Sequence, residues 1–235
     1  MNILIIGGSG GIGLAIIQQS LSSYPQATIT ATYHSQCPEF KHSQLKWLKL
    51  DVTSEKDIIE LSKHFDSLNM LINAVGFLHS SHHSPEKALS QFDADFFQTN
   101  ISLNTLPSIL LAKHFMAALR SESVTYFVTL SARIGSISDN QMGGWLSYRT
   151  SKAALNMAMK TVSIEWKQKL PNCCIVLFHP GTTDTGLSKP FQRNLPAGQL
   201  QSPEFTAKSL VEVIRKLRTE DSGRLLDYDG NNISW

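Results

Sequence analysis

A doubly wound α/β fold, in which a parallel sheet carries helices on both faces, is predicted from three features of this 235-residue chain. Short β-branched and leucine runs alternate with longer stretches of helical periodicity. The short runs are apolar on both faces, as strands buried between two helical layers must be. A glycine-rich turn joins the first run to the first helical stretch, the junction at which such folds bind ligands.

Taken in order, Ile3-Leu4-Ile5-Ile6 is the first strand and is closed by Gly7-Gly8-Ser9-Gly10-Gly11. Ile12, Leu14, Ala15, Ile16, Ile17 and Leu21 then recur at helical spacing. Further strands are predicted over 27–33, 45–50, 68–73, 125–131 and 173–178, and helices over 55–65, 92–119 and 146–168. The longest irregular piece is 181–203, punctuated by Pro190, Pro196 and Pro203. A segment of that kind after the carboxyl end of a strand reads as a lid, here about 185–203. No internal repeat or linker divides the chain, and its 42% apolar content suffices for one sizeable core, so 1–235 is expected to be a single domain.

Composition excludes several classes of function. Lysine and arginine number 21 against 19 acids, and neither sign forms a block, so no nucleic-acid partner is expected. No apolar stretch approaches the ~18 residues of a membrane span, and Met1-Asn2 offers no basic leader ahead of the first strand. A cytoplasmic protein without a membrane partner is the expectation. Cys37, Cys173 and Cys174 are too few for a disulfide framework, and neighbouring strand residues point to opposite faces, so all three are read as reduced thiols.

Gly7, Gly11 and Gly13 close a strand and open a helix, so backbone N–H groups can approach a pyrophosphate whose charge the helix N-terminus favours. The same turn also suits a purely tight connection. It contains Gly7-x-Ser9-x-Gly11 as well, the pattern of a serine-hydrolase nucleophile elbow, although no particular downstream Asp or His is marked as a partner. About twenty residues on, where a carboxylate would hold the ribose hydroxyls of NAD, the chain reads Thr32-Tyr33-His34-Ser35. Hydroxyls and a titratable imidazole suit a 2′-phosphate, which favours NADP(H) over NAD(H), unless Tyr33 and His34 are simply strand-end surface residues.

Tyr148 and Lys152 lie at i and i+4, on one face of the predicted helix. A phenol normally titrates near pH ~10, and a lysine cation and an oxidised nicotinamide beside it would stabilise the phenolate, making acid–base work accessible. His79, His82 and His83 resemble a metal cluster only superficially, because serines and Pro85 around them indicate a solvated loop, and no metal is expected. Trp145 and Phe191 suit either a substrate wall or packing.

The ordered set Gly7-x-x-x-Gly11-Ile12-Gly13, Asp51-Val52, Asn73-Ala74-x-Gly76, Asn100, Tyr148-x-x-x-Lys152 and Pro180-Gly181-x-x-x-Thr185 closely resembles the short-chain dehydrogenase/reductase family, over essentially the whole chain. Gly143-Gly144-Trp145 and Asp227-Tyr228-Asp229-Gly230 look most like its C-factor and sniffer-like carbonyl reductase branch. The resemblance implies a Rossmann-type domain and hydride transfer between a nicotinamide and a small carbonyl or alcohol substrate. Tyr148 would exchange the proton, Lys152 would hold the nicotinamide ribose and lower the pKa of Tyr148, and Asn100 would hold a relay water. Gly7, Ser9, Gly11, Ile12 and Gly13 would bind the pyrophosphate end, with Tyr33 and His34 at the 2′-position and Asp51 and Val52 at adenine. Asn73, Ala74 and Gly76 would line the ribose, and Gly181, Thr183 and Thr185 the nicotinamide; Asn73 and Asn100 also suit buried polar caps. Association as a dimer or tetramer through the helix of Tyr148 is implied too, although some members of the branch look monomeric.

Two departures from the family pattern stand out. Ile6 replaces a usual threonine. More consequentially, in Ser131-Ala132-Arg133-Ile134-Gly135 the position of the family's carbonyl-binding serine is Ala132. Ser131 is the favoured replacement provided that the backbone turns at the strand end; Ser136 and Ser138 are alternatives. Without a replacement, the chain would be a slow or specialised catalyst; Ala132 and the C-factor resemblance also suit a dinucleotide-binding regulatory or signalling protein with little turnover.

Overall fold

The computed structural model describes residues 1–235 except the side chain of Asn194. Nine strands form: β1 (Asn2–Ile6), β2 (Thr28–Tyr33), β3 (Leu45–Lys49), β4 (Met70–Asn73), β5 (Thr125–Leu130), β6 (Cys173–His179), β7 (Thr182–Thr183), β8 (Leu200–Gln201) and β9 (Arg224–Asp227). Seven make one parallel sheet in the order β3-β2-β1-β4-β5-β6-β9, while β7 and β8 pair separately.

Six α-helices accompany them: α1 (Gly11–Ser23), α2 (Glu55–Ser62), α3 (Ala94–Asn104), α4 (Leu106–Phe115), α5 (Leu146–Lys169) and α6 (Pro203–Lys216). Strand side chains alternate between two cores. Ile3, Ile5, Ile72 and Val176 pack with Ile16 and Ile17 of α1 and Leu210 and Ile214 of α6. Leu4, Ile6, Leu71 and Ile175 pack with Ile58 of α2, Phe115 of α4 and Leu155 of α5. Both strand faces are therefore dry, which is why these strands read as continuous apolar runs. Cys173 belongs to one core and Cys174 to the other, and both are free thiols.

Three sequence expectations are corrected. The helix expected over 92–119 is two helices, because Pro107 lacks an N–H and is accommodated only in the first turn of α4. Helix α6 and strand β9 lie outside the elements predicted from the sequence. Ser202 caps α6 by accepting from Phe205 N at 3.1 Å, with Pro203 as its first residue, a start signal hidden among the prolines read as irregular. The segment 181–203 itself contains β7, β8 and a 3₁₀ helix, Lys189–Asn194.

From β1 the chain moves outward to β2 and β3, then crosses to β4 and continues the other way. The loops leaving β1 and β4 consequently part, and a crevice opens between them at the carboxyl ends. Among the described residues no helix is long and apolar enough to cross a membrane.

Candidate active site

A groove along the carboxyl ends of the strands comprises three adjoining cavities of about 300, 280 and 250 Å³. The first is lined by Gly7, Ser9, Tyr33, His34, Asp51, Val52, Ala74 and Gly76. Ala74 and Gly76 continue into the middle cavity, where they meet Gly11, Ile12, Gly13, Tyr148, Lys152 and Thr185. The end cavity shares Ile12, Ser131, Tyr148 and Thr185 with the middle one and adds Ala132, Trp145, His179, Gly181, Thr183 and Phe191.

The glycine turn shapes the junction of the first two cavities. Gly7 has φ +77°, a conformation side chains disfavour, and Thr32 Oγ1 accepts from its N–H at 3.0 Å. A Cβ on Gly13 would lie 2.2 Å from Gly7 O, so only glycine lets α1 pack against the turn. Gly10, preceding α1, makes no side-chain cap, and the first turn of α1 holds no acidic residue. The uncapped N–H groups and the positive helix end face the groove, which fits an anion such as a pyrophosphate. Ser9 is exposed, and among the described residues it hydrogen-bonds to no His or Asp, so the geometry of a nucleophile elbow's partner is missing. At the far end of the first cavity, Asp51 accepts from Thr53 N at 2.9 Å and Thr53 Oγ1 at 2.7 Å, and these bonds hold its pKa below the ordinary carboxylate value.

Helix α5 presents Tyr148 and Lys152 one turn apart at the junction of the middle and end cavities. Lys152 Nζ donates to Leu130 O at 3.0 Å and lies 5.9 Å from the centroid of the Tyr148 ring. Burial pushes Tyr148 up to about 12 and Lys152 down to about 8. In the protein alone desolvation of the phenolate dominates; the lowered Tyr148 pKa expected from the sequence is that of the pair with an oxidised nicotinamide beside it.

The start of α5 is built in an unusual way. Trp145, the residue before it, has φ +53° and provides no side-chain cap. Its place is taken by the buried carboxylate of Glu86, which accepts from Ser147 N at 3.2 Å and from the Ser147 hydroxyl. Trp145 stands edge-on to Phe191, with centroids 5.0 Å apart, and to Tyr148 at 6.3 Å, so the two undecided aromatics wall the end cavity.

Asn73 and Asn100 lie behind the groove instead of lining it. Asn73 Nδ2 donates to Ser108 Oγ at 2.8 Å while its Oδ1 accepts from Val75 N, turning the chain at the end of β4. Asn100 Nδ2 donates to Phe96 O within α3, and its Oδ1 accepts from Asn104 Nδ2 at 3.2 Å. Asn104 also donates to Ser151 Oγ at 2.9 Å, tying α3 to the residue before Lys152. His79 stands edge-on to Phe191, whereas His83 stacks on Phe96.

The condition set for Ser131 is not met. Ala132 remains extended, with φ −153° and ψ 144°, and the chain turns only at Arg133. Ser131 Oγ donates to Asn156 Oδ1 of α5 at 2.6 Å, so its proton is already engaged within the protein. Ser136 and Ser138 are not among the residues lining the cavity; Ser136 Oγ lies 3.3 Å from Ser138 Oγ and accepts from Asp139 N.

Sequence reasoning missed Glu86, Asn104 and His179. Asn104 had a signal, its i+4 spacing from Asn100, and His179 had another, a polar residue ending an otherwise apolar strand. Glu86 had none, because its partner lies 61 residues away.

Comparisons with known proteins agree with this architecture. An uncharacterized oxidoreductase of Schizosaccharomyces pombe is 28% identical over 250 residues, spanning 97% of this chain and 96% of the relative. The C-signal protein of Myxococcus xanthus is 31% identical over 148 residues, 63% of this chain and 84% of the relative. Carbonyl reductase Sniffer of D. melanogaster superposes with a TM-score of 0.86 at 24% identity, covering 100% of this chain and 99% of that one. The short chain dehydrogenase family model matches residues 1–196, and the chain accordingly belongs to the short-chain dehydrogenase/reductase family of enzymes.

Proposed function

We propose that the whole chain, 1–235, acts as one NADP(H)-preferring oxidoreductase domain that reduces a small carbonyl compound, or oxidises the corresponding alcohol, with Tyr148 exchanging the proton. The carrying observation is the position of Tyr148 and Lys152, where a dinucleotide-shaped groove runs into an end cavity walled by Trp145 and Phe191.

The groove suits the cofactor: the uncapped start of α1 for the pyrophosphate, Asp51 and Val52 for adenine, Lys152 for the nicotinamide ribose, and Gly181, Thr183 and Thr185 for the nicotinamide end. The bound dinucleotide supplies or accepts hydride. NADP(H) is favoured because Tyr33 and His34, not a carboxylate, stand at the end of β2. NADPH is bound in the solved carbonyl reductase from chicken fatty liver, which superposes with a TM-score of 0.85 at 23% identity over 100% of this chain and 94% of that one.

Tyr148, protonated across the neutral range, donates to the carbonyl oxygen; Lys152 orients the ribose and supplies the neighbouring positive charge. Asn100 serves the proton relay through its link to Asn104 and Ser151. The segment 185–203 works as a lid, its 3₁₀ helix holding Phe191 over the cavity. Self-association would use the outer side of α5, where Met157 and Ile164 are exposed. Ile164→Glu is expected to shift the protein to a smaller species in sedimentation velocity.

A second reading, a dinucleotide-binding signalling protein with little turnover, is favoured by Ala132 and by the likeness to C-signal. NADPH titration followed by a panel of aldehydes and ketones separates the two. Tyr148→Phe is expected to retain NADPH affinity and lose ~10²–10⁴-fold in turnover. Binding without turnover in the wild type would leave the signalling reading.

A further inference from the structure

Several polar side chains on the wall of the end cavity are already engaged within the protein. Thr183 Oγ1 shares a hydrogen bond with Thr206 Oγ1 at 2.8 Å, Ser188 Oγ donates to Thr183 O at 2.5 Å, and Ser131 is held by Asn156. Tyr148 is assigned above. His179 lines the same wall, and one of its ring nitrogens is buried without a partner.

His179 ends β6, and Ser131 N donates to Phe178 O at 2.8 Å, so His179 lies beside the stretch Ser131-Ala132 that follows β5. Neighbouring strands lie ~4.8 Å apart, well within the reach of an imidazole. The side chain lines the same cavity as Ala132 and Tyr148. Its Nδ1 is sealed from solvent with no hydrogen-bond partner. A buried N–H left orphaned is rarer than a buried acceptor left unpaired, which favours the tautomer with the bare lone pair on Nδ1 and the ring proton on Nε2. The charged groups facing the ring are Arg133, Asp139 and Asp227; burial first, then Arg133, lowers its pKa to about 4, which keeps the ring neutral with one N–H.

We propose that His179 is a catalytic residue of the reduction: its Nε2–H donates a hydrogen bond to the substrate's carbonyl oxygen, supplying the donor that Ala132 lacks. This rests on the reductase reading above. As the carbonyl carbon takes up hydride from NADPH, the π-electron pair moves to oxygen; the oxygen takes its proton from Tyr148, while His179 keeps its own and stabilises the developing charge.

The test uses the full chain with NADPH and a carbonyl that the wild type reduces. His179→Leu and His179→Phe, which remove the donor, are expected to lower kcat ~10²–10³-fold with NADPH affinity unchanged. His179→Gln, which restores an N–H, should recover much of that loss, and adding Ala132→Ser to His179→Leu should raise kcat at least about tenfold. Three results overturn the assignment: kcat within about twofold of wild type in both donor-removing variants, NADPH affinity lost in step with kcat, or no gain from either restored donor. Wild-type protein that binds NADPH but reduces no carbonyl overturns the reductase reading itself, and this assignment with it.

Discussion

Burial sets the protonation states on which the proposed chemistry turns. Tyr148, pushed up to about 12, holds its proton throughout the neutral range and is poised as an acid. Lys152, pushed down to about 8, keeps its charge only below that value. Reduction is therefore expected to run at a constant rate up to about pH 7 and to fall above about pH 8 as Lys152 loses its proton, measured with NADPH saturating at every pH. At the other end of the groove, His34→Asp places a carboxylate where a 2′-phosphate would sit. It should weaken NADPH binding at least about tenfold and spare or improve NADH binding, as read by fluorescence titration. Tyr148, Lys152 and Gly13 were legible as candidates because the chemistry proposed for them follows from neighbours in the chain, at i+4 or within one turn. Ser131 was not, because its orientation depends on where β5 stops being extended and on Asn156 across the sheet.

At the scale of elements, α5 carries both Tyr148 and Lys152, and its N-terminus is held from outside. Glu86, in the loop after β4, substitutes for the missing side-chain cap, while the left-handed Trp145 directs its ring at Phe191. A non-glycine residue in that region stores strain which the surrounding contacts must offset. Glu86→Ala leaves Ser147 N–H and hydroxyl without their partner in a buried setting, at a cost of about 1–3 kcal/mol. A drop of roughly 3–10 °C in Tm is expected, together with reduced turnover as Tyr148 loses its placement, and with adenosine-end binding intact. The division of α3 from α4 was readable in principle from Pro107, since proline fits a first helical turn and disrupts an interior. Helix α6 was masked by the prolines just before it, although Ser202-Pro203 is a recognisable helix start.

Across the whole molecule, buried titratable groups make stability depend on pH from both sides. His179 is neutral in the fold down to about pH 4, whereas in the unfolded chain it takes up a proton near 6.5, so stability is lost as pH falls between those values. In alkali Lys152 acts oppositely to the thiols and the phenol. Its lowered pKa adds stability as pH rises above about 8; Cys173 and Cys174, raised to about 11 and about 12, subtract it above about 9, and Tyr148 does so above about 10. The urea midpoint is thus expected to peak near pH 8–9 and to fall toward pH 4. His179→Gln should flatten the stretch between 6.5 and 4, and an unchanged slope in that variant would refute the buried-neutral imidazole.

The sequence by itself determined the layered α/β architecture, the glycine turn, the Tyr148–Lys152 pair and the family, because each is written in short-range periodicity or in a few closely spaced residues. Tertiary structure alone decided the direction of the Ser131 hydroxyl, the capping of α5 by Glu86 and the convergence of His179, Trp145 and Phe191 on one cavity. Those contacts join residues far apart in the chain, and their geometry is set by how sheet and helices pack, which no local pattern encodes.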